Sequence, residues 1–197
     1  MTGQELRDKN KGAFKLKGMP HIYWINLDAD EDRREYMENQ FEYWEIENHT
    51  RIEGIDARED DPAVYLKGII PNDVTINELG CCLSHLKAIK HFYENTDDEV
   101  CIIMDDIVRL HTSNYWMFDW EYAYKRLPYN WDCIQLFVNS ASQKISMNLH
   151  PWQREHRSTR CYMISRLFAK KIKRFHYPDG KFKLHYRCRA VSYTHLR

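Results

Sequence analysis

Two adjacent aspartates, Asp105 and Asp106, close the apolar run at 99–104 (EVCIIM) of a 197-residue chain. A carboxylate taken out of water loses several kcal/mol of hydration unless a partner replaces it. A hard divalent cation such as Mg2+ or Mn2+ is one such partner: it takes one or two carboxylates and completes its shell with water and phosphate oxygens. Neighbouring side chains of a regular strand face opposite ways. Both aspartates therefore reach one ion only if the strand has already turned; otherwise one binds and the other supports it. Without a cation the pair reads as solvated turn acids. Two further apolar runs end in acids: 21–27 (HIYWINL) leads into Asn26, Leu27 and Asp28, and 50–57 (TRIEGIDA) carries Asp56 near its end. Carboxylates from three strands could converge on one rim.

Those acids need elements to hold them. Residues 21–27 form a short β-rich stretch after Pro20, the mark of a strand buried on both faces. Residues 30–43 are rich in helix formers, with acids weighted toward the start where the helix dipole favours them, and Asp28 or Asp30 available as a cap. Residues 50–57 alternate as a second strand, and 58–75 read as loop. From Ile76 to Tyr93, Leu79, Cys82, Leu83, Leu86, Ile89 and Phe92 recur at helical spacing, with Asn95 as the stop. Residues 99–104 make the central strand, 117–127 a Trp- and Tyr-rich helical segment, 132–138 a fourth strand, and 160–165 with 166–175 a last strand and basic helix. Alternating strands and helices predict an α/β domain with a mostly parallel sheet, in which ligands sit beyond the carboxyl ends of the strands.

The motifs and their order resemble glycosyltransferase family 25, which includes lipooligosaccharide and collagen galactosyltransferases. IYWINLDADEDRREYM resembles its opening strand, Asn-Leu-Asp loop and paired-arginine helix; RIEGIDA resembles its second strand; ELGCCLSHLKAIKHF resembles its Gly-Cys-x-x-Ser-His block. VCIIMDDIV resembles its Glu-Asp-Asp metal motif, and CYMISRLFAKKI the strand and helix that follow. The resemblance implies a GT-A-like (Rossmann-like) fold and inverting transfer of a sugar, galactose, from a UDP-sugar donor to a hydroxyl acceptor on a glycan or protein. It implies a Mn2+ or Mg2+ cofactor with Asp106 as direct ligand and Asp105 touching the ribose or a metal-bound water. Asn26, Asp28, Arg33, Arg34, Asp56 and Ser84 become donor-binding candidates, and His85 with Asp105 catalytic ones. Arg33 and Arg34 offer guanidinium forks to phosphate, or make a solvated helix face. Ser84 and His85 are placed near a helix N-terminus, which favours anions; a satisfied core histidine is the competing reading of His85. Met104 stands where the family has Glu, and a thioether offers nothing to a hard cation.

Composition bounds the rest. Hydrophobic residues make up 43% of the chain, enough for a core and against disorder. Lys and Arg (29) balance Asp and Glu (29), which removes bulk charge as an argument for nucleic-acid binding. The balance hides a segregation, net −11 before His150 and +11 from it onward. The stretch Lys170 to Arg174 reads as a solvated helix face or, alternatively, as a basic module for anionic partners. The aromatics Tyr115, Trp116, Phe118, Trp120, Tyr122 and Tyr124 read as core or as stacking faces for a sugar. Six cysteines lack paired metal or redox spacing, and no apolar run approaches the ~20 residues of a membrane span. A cytoplasmic protein is the expectation. Residues 1–18 read as a flexible leader, 19–190 as the transferase domain, incomplete at its C-terminus, and 191–197 (VSYTHLR) as a non-native adapter-derived tail. On that reading Asp179 is the one acid left late in the chain to act as base, and an inactive donor-binding remnant is the second function considered.

Overall fold

The computed structural model describes residues 12–68, 70, 74–137 and 158–184. The tail at 191–197, Cys188 and the first eleven residues lie outside them. Five strands form one sheet: β1 (Ile22–Asn26), β2 (His49–Glu53), β3 (Val100–Asp105), β4 (Cys133–Gln135) and β5 (Cys161–Ser165), in the order β2-β1-β3-β5-β4. The helices are α1 (Glu31–Tyr43), α2 (Pro62–Tyr65), α3 (Ile76–Asn95), α4 (Trp120–Tyr124) and α5 (Arg166–His176).

Strand alternation divides the core into two layers. Tyr23, Ile25, Cys101, Ile103, Tyr162 and Ile164 face one side, where α3 and α5 bring Leu83, Leu86, Ile89, Phe168 and Ile172. Ile22, Trp24, Ile102, Met104 and Met163 face the other, against Met37 and Phe41 of α1, Trp120 of α4 and Leu110. Helices on both faces explain why β1 is buried throughout and apolar up to Asn26 rather than alternating. Thr75 starts α3 through a reciprocal capping box with Glu78. Asp30 takes the N-cap position of α1, but its carboxylate pairs with Arg33 instead of a backbone N–H.

Three expectations change. The sheet is mixed: β2, β1 and β3 run parallel, but β5 is antiparallel to β3 and β4 antiparallel to β5. The chain crosses from β3 to the outer position as β4 and then returns between the two as β5. The second strand stops at Glu53, because Gly54 N–H still bonds Asn26 O while Ile55 N–H turns away to the Ser84 hydroxyl. The third concerns the leader, which is packed from residue 12 onward. Ala13–Leu16 form a 3-10 turn, Leu16 is 4% exposed, and Lys15 Nζ donates to the carbonyls of Ser113, Asn114 and Trp116 at 3.3, 3.0 and 2.6 Å.

Candidate functional site

The carboxyl ends of β1 and β3 lie side by side, with Ile25 opposite Asp105. Asp105 is the last strand residue; Asp106 N–H bonds Ile25 O at 3.1 Å as the chain turns. The turn lifts the alternation of the strand, and both carboxylates enter one cleft. Asp106 is 6% exposed. Its Oδ2 accepts from Asn26 Nδ2 at 2.8 Å and its Oδ1 from Arg33 Nη1 at 3.2 Å. Burial raises its carboxyl above the usual range, with Asn26 and Arg33 pulling back and Asp105 adding to the rise. Asn26 is itself held from behind, because Arg51 Nε donates to its Oδ1 at 3.0 Å, fixing which way the amide faces.

Helix α3 supplies the opposite wall. Ser84 and His85 lie in its third turn, not at its N-terminus, so their backbone N–H groups belong to the helix ladder and offer no anion site. Ser84 Oγ is spent: it donates to Gly80 O at 2.7 Å and accepts from Ile55 N–H at 2.8 Å. Its role is to dock the helix to the loop after β2. Gly80 permits that approach, since a Cβ there would sit 2.7 Å from Ile55 O. His85 is buried below the cleft with Nε2 3.1 Å from Asp105 Oδ1, an ion-pair distance outside hydrogen-bond alignment. Its Nδ1 lies 2.9 Å from the Tyr162 hydroxyl. Burial alone would depress the imidazole, but Asp105 and Cys81 outweigh it and hold His85 at about 9. The ring is thus a buried cation that fixes Asp105, and neither of the two sequence readings of His85 described that.

Asp56 lies three residues beyond β2, on the docked loop. Arg58 Nε and Nη2 donate to its two oxygens at 2.8 and 2.5 Å, and the pair depresses the Asp56 carboxyl. The cleft, of about 390 Å³, is lined by Asn26, Arg33, Asp56, Ser84, His85, Asp105 and Asp106 among the expected residues, together with Arg58 and Cys81. Asp28 and Arg34 do not line it: they form a cluster with Arg51 in which both arginines, half-buried, pair with the exposed Asp28 carboxylate. Arg58, Arg51 and Tyr162 escaped the sequence reading. Only Arg58 left a signal, since an Asp-x-Arg step suits an Asx turn, and Arg58 N–H does bond Asp56 Oδ1 at 3.1 Å.

The model of the family described as glycosyltransferase family 25 (LPS biosynthesis protein) matches residues 19–178. The chain belongs to glycosyltransferase family 25. No curated protein matches it. Membership implies glycosyltransferase activity, with a sugar donor and an acceptor, and an α/β fold of Rossmann-like kind agrees with it. Met104, which the resemblance sets against a Glu, is 0% exposed among Ile102, Trp24 and Met163 on the sheet face away from α3. A side chain there does not reach the cleft, so the departure removes no ligand from it.

The remaining expectations sort by position. Asp105 Oδ2 has no partner among the described residues, whereas both oxygens of Asp106 accept hydrogen bonds. The pair suits a hard cation that also takes phosphate oxygens, with Asp105 rather than Asp106 the freer ligand. No group of three or more His, Cys, Asp or Glu that could hold a metal occurs among the described residues. Asp179 lies off the cleft, 59% exposed and paired with Lys67. The aromatic cluster also lies off it: Trp120 is core, while Tyr115, Tyr122 and Tyr124 are exposed. Lys171 and Lys173 of α5 pair with Asp132 and Glu94. No helix among the described residues is long and apolar enough to cross a membrane.

Proposed function

We propose that the cleft binds a UDP-sugar and transfers the sugar, galactose, with inversion to a hydroxyl of a glycan or protein acceptor. The observation that carries this reading is the convergence of Asp105, Asp106, Asn26 and Arg33 on one cleft, at the carboxyl ends of adjacent parallel strands. Ligands of open α/β sheets bind at such a rim, and the cleft's size suits a small-molecule site. Mn2+ or Mg2+ would be held by Asp105 with Asp106 beside it, and when bound supplies positive charge to the diphosphate leaving group.

The chain's own residues do the rest. Arg33 spans Asp106 and Asp30 and presents a guanidinium to phosphate oxygens. Asn26 keeps Asp106 oriented by donating to it. His85 anchors Asp105 from below, so the carboxylate is aimed before donor arrives and less ordering remains to be done on binding. The test is calorimetry with UDP-galactose, with and without Mn2+. We expect Mn2+-dependent binding that Asp105→Asn makes metal-independent; no binding of the wild-type chain at millimolar donor refutes the reading.

A further inference from the structure

Resting on that reading, we infer that Arg58 is a diphosphate-binding residue and that Asp56 serves the donor through it, as the group that aims its guanidinium. The other cations at the cleft have more acid to answer. Arg33 keeps N–H groups for phosphate but is shared between two carboxylates, Asp106 through Nη1 and Asp30 through Nη2, and His85 is sealed beneath the floor. Arg58 is different. Its side chain is 56% exposed, and it engages Asp56 through Nε and Nη2 alone. The two N–H bonds of Nη1 have no partner among the described residues, and the residue lines the cleft.

The geometry of this pair is set from below. Asp56 O accepts from Glu59 and Asp60 N–H at 3.0 and 2.7 Å, closing a tight turn. One residue earlier, Ile55 N–H is fixed to Ser84, and Gly80 lets α3 approach Ile55 and Ala57 closely. A bidentate carboxylate on one side of a planar guanidinium leaves the other side pointing in a defined direction, so a phosphate oxygen meets donors that are already ordered. The charge at the cleft favours such a group. Asp56, Asp105 and Asp106 all face the cleft, and a diphosphate entering it adds further negative charge. Unpaired, Asp56 would repel the donor; paired, it becomes a support for the cation that attracts it. Asp56 therefore touches Arg58 and not the diphosphate.

The experiment is calorimetry on the full chain with uridine, UMP and UDP as probes, on wild type, Arg58→Gln, Arg58→Lys and Asp56→Asn. Arg58 is exposed, so its variants should keep the wild-type melting temperature, which is recorded alongside. We expect Arg58→Gln to weaken UDP roughly 10- to 100-fold, the range of one charged hydrogen bond, with uridine changed less than about two-fold. Arg58→Lys should fall between wild type and Arg58→Gln, because charge survives without the fork. Asp56→Asn should weaken UDP more than uridine by loosening the guanidinium. Equal losses for uridine and UDP, or an unchanged UDP affinity in Arg58→Gln, overturn the assignment while leaving the function standing. A wild-type chain that binds neither UDP nor UDP-galactose overturns both.

Discussion

Replacing Gly80 with alanine reverses the usual rule for a helical glycine. In the interior of a helix Ala is favoured over Gly by about 1 kcal/mol, because glycine loses more backbone entropy on folding. Gly80 sits in the second turn of α3, where the rule predicts a gain. A Cβ built there would lie 2.7 Å from Ile55 O and 3.2 Å from Ala57 N, both backbone atoms that have no rotamer to change. The loop or the helix must move by about 0.7 Å to reach ordinary contact. Overpacking of this kind costs about 1–3 kcal/mol, and a strained Ile55–Ser84 hydrogen bond adds up to about 1 kcal/mol. Against the propensity gain the net runs from about zero to a loss of about 3 kcal/mol, and the centre of that range is a loss of about 1.5 kcal/mol. For a chain of this size that lowers the melting temperature by roughly 3–6 °C, where an unconstrained glycine would raise it by a few degrees. Urea unfolding of wild type and Gly80→Ala decides between the two. A midpoint that rises in the variant refutes the docking of α3 against the loop that carries Asp56 and Arg58.

Other substitutions test other parts of the structure. Met104→Glu puts a carboxyl at a fully buried apolar position, so we expect a loss of about 2–4 kcal/mol and no gain in Mn2+ affinity; tighter Mn2+ binding in calorimetry contradicts the placement of Met104. His21, His49 and His91 all have their imidazoles depressed below 6.5, chiefly by burial. The unfolded chain therefore takes up protons at these three sites first as pH falls, so their contribution is intact above about pH 6.5 and is lost below it, whereas that of His85, held at about 9, is complete below about pH 6.5 and fades above it; urea midpoints between pH 6.5 and 5 should show a decline that His49→Gln reduces.

Legibility from sequence tracked how local the cause was. β1 and β3 were readable because strands covered on both faces are short apolar runs, and α3 because its leucines and Phe92 keep helical spacing behind a Thr-Glu cap. The direction of β5 was not, since Cys161–Ser165 reads the same either way and only the register Met104↔Cys161 fixes it. TRIEGIDA alternates past the point where pairing ends, because departure from the sheet is caused by Ser84, 29 residues away. Asp105 and Asp106 announced themselves as a pair, but what holds each one comes from His85, Arg33 and Asn26 on three other elements. Leu16 stands between two lysines in a polar stretch, and nothing nearby shows that Trp44 and Leu110 belong to the same core layer.

The mixed sheet gives the two aspartates opposite neighbours along the backbone. Asp105 N–H bonds Arg160 O, where the chain enters β5, at 2.8 Å, while Asp106 N–H bonds Ile25 O of β1. Amide exchange at these consecutive positions therefore reports on separate seams. Slowing at Asp106 follows tightening against the strand that carries Asn26, and slowing at Asp105 follows tightening against β5. Proton exchange at two adjacent residues, measured as a ligand is added, can distinguish a molecule held by the β1 side of the rim from one that draws in the returning strand.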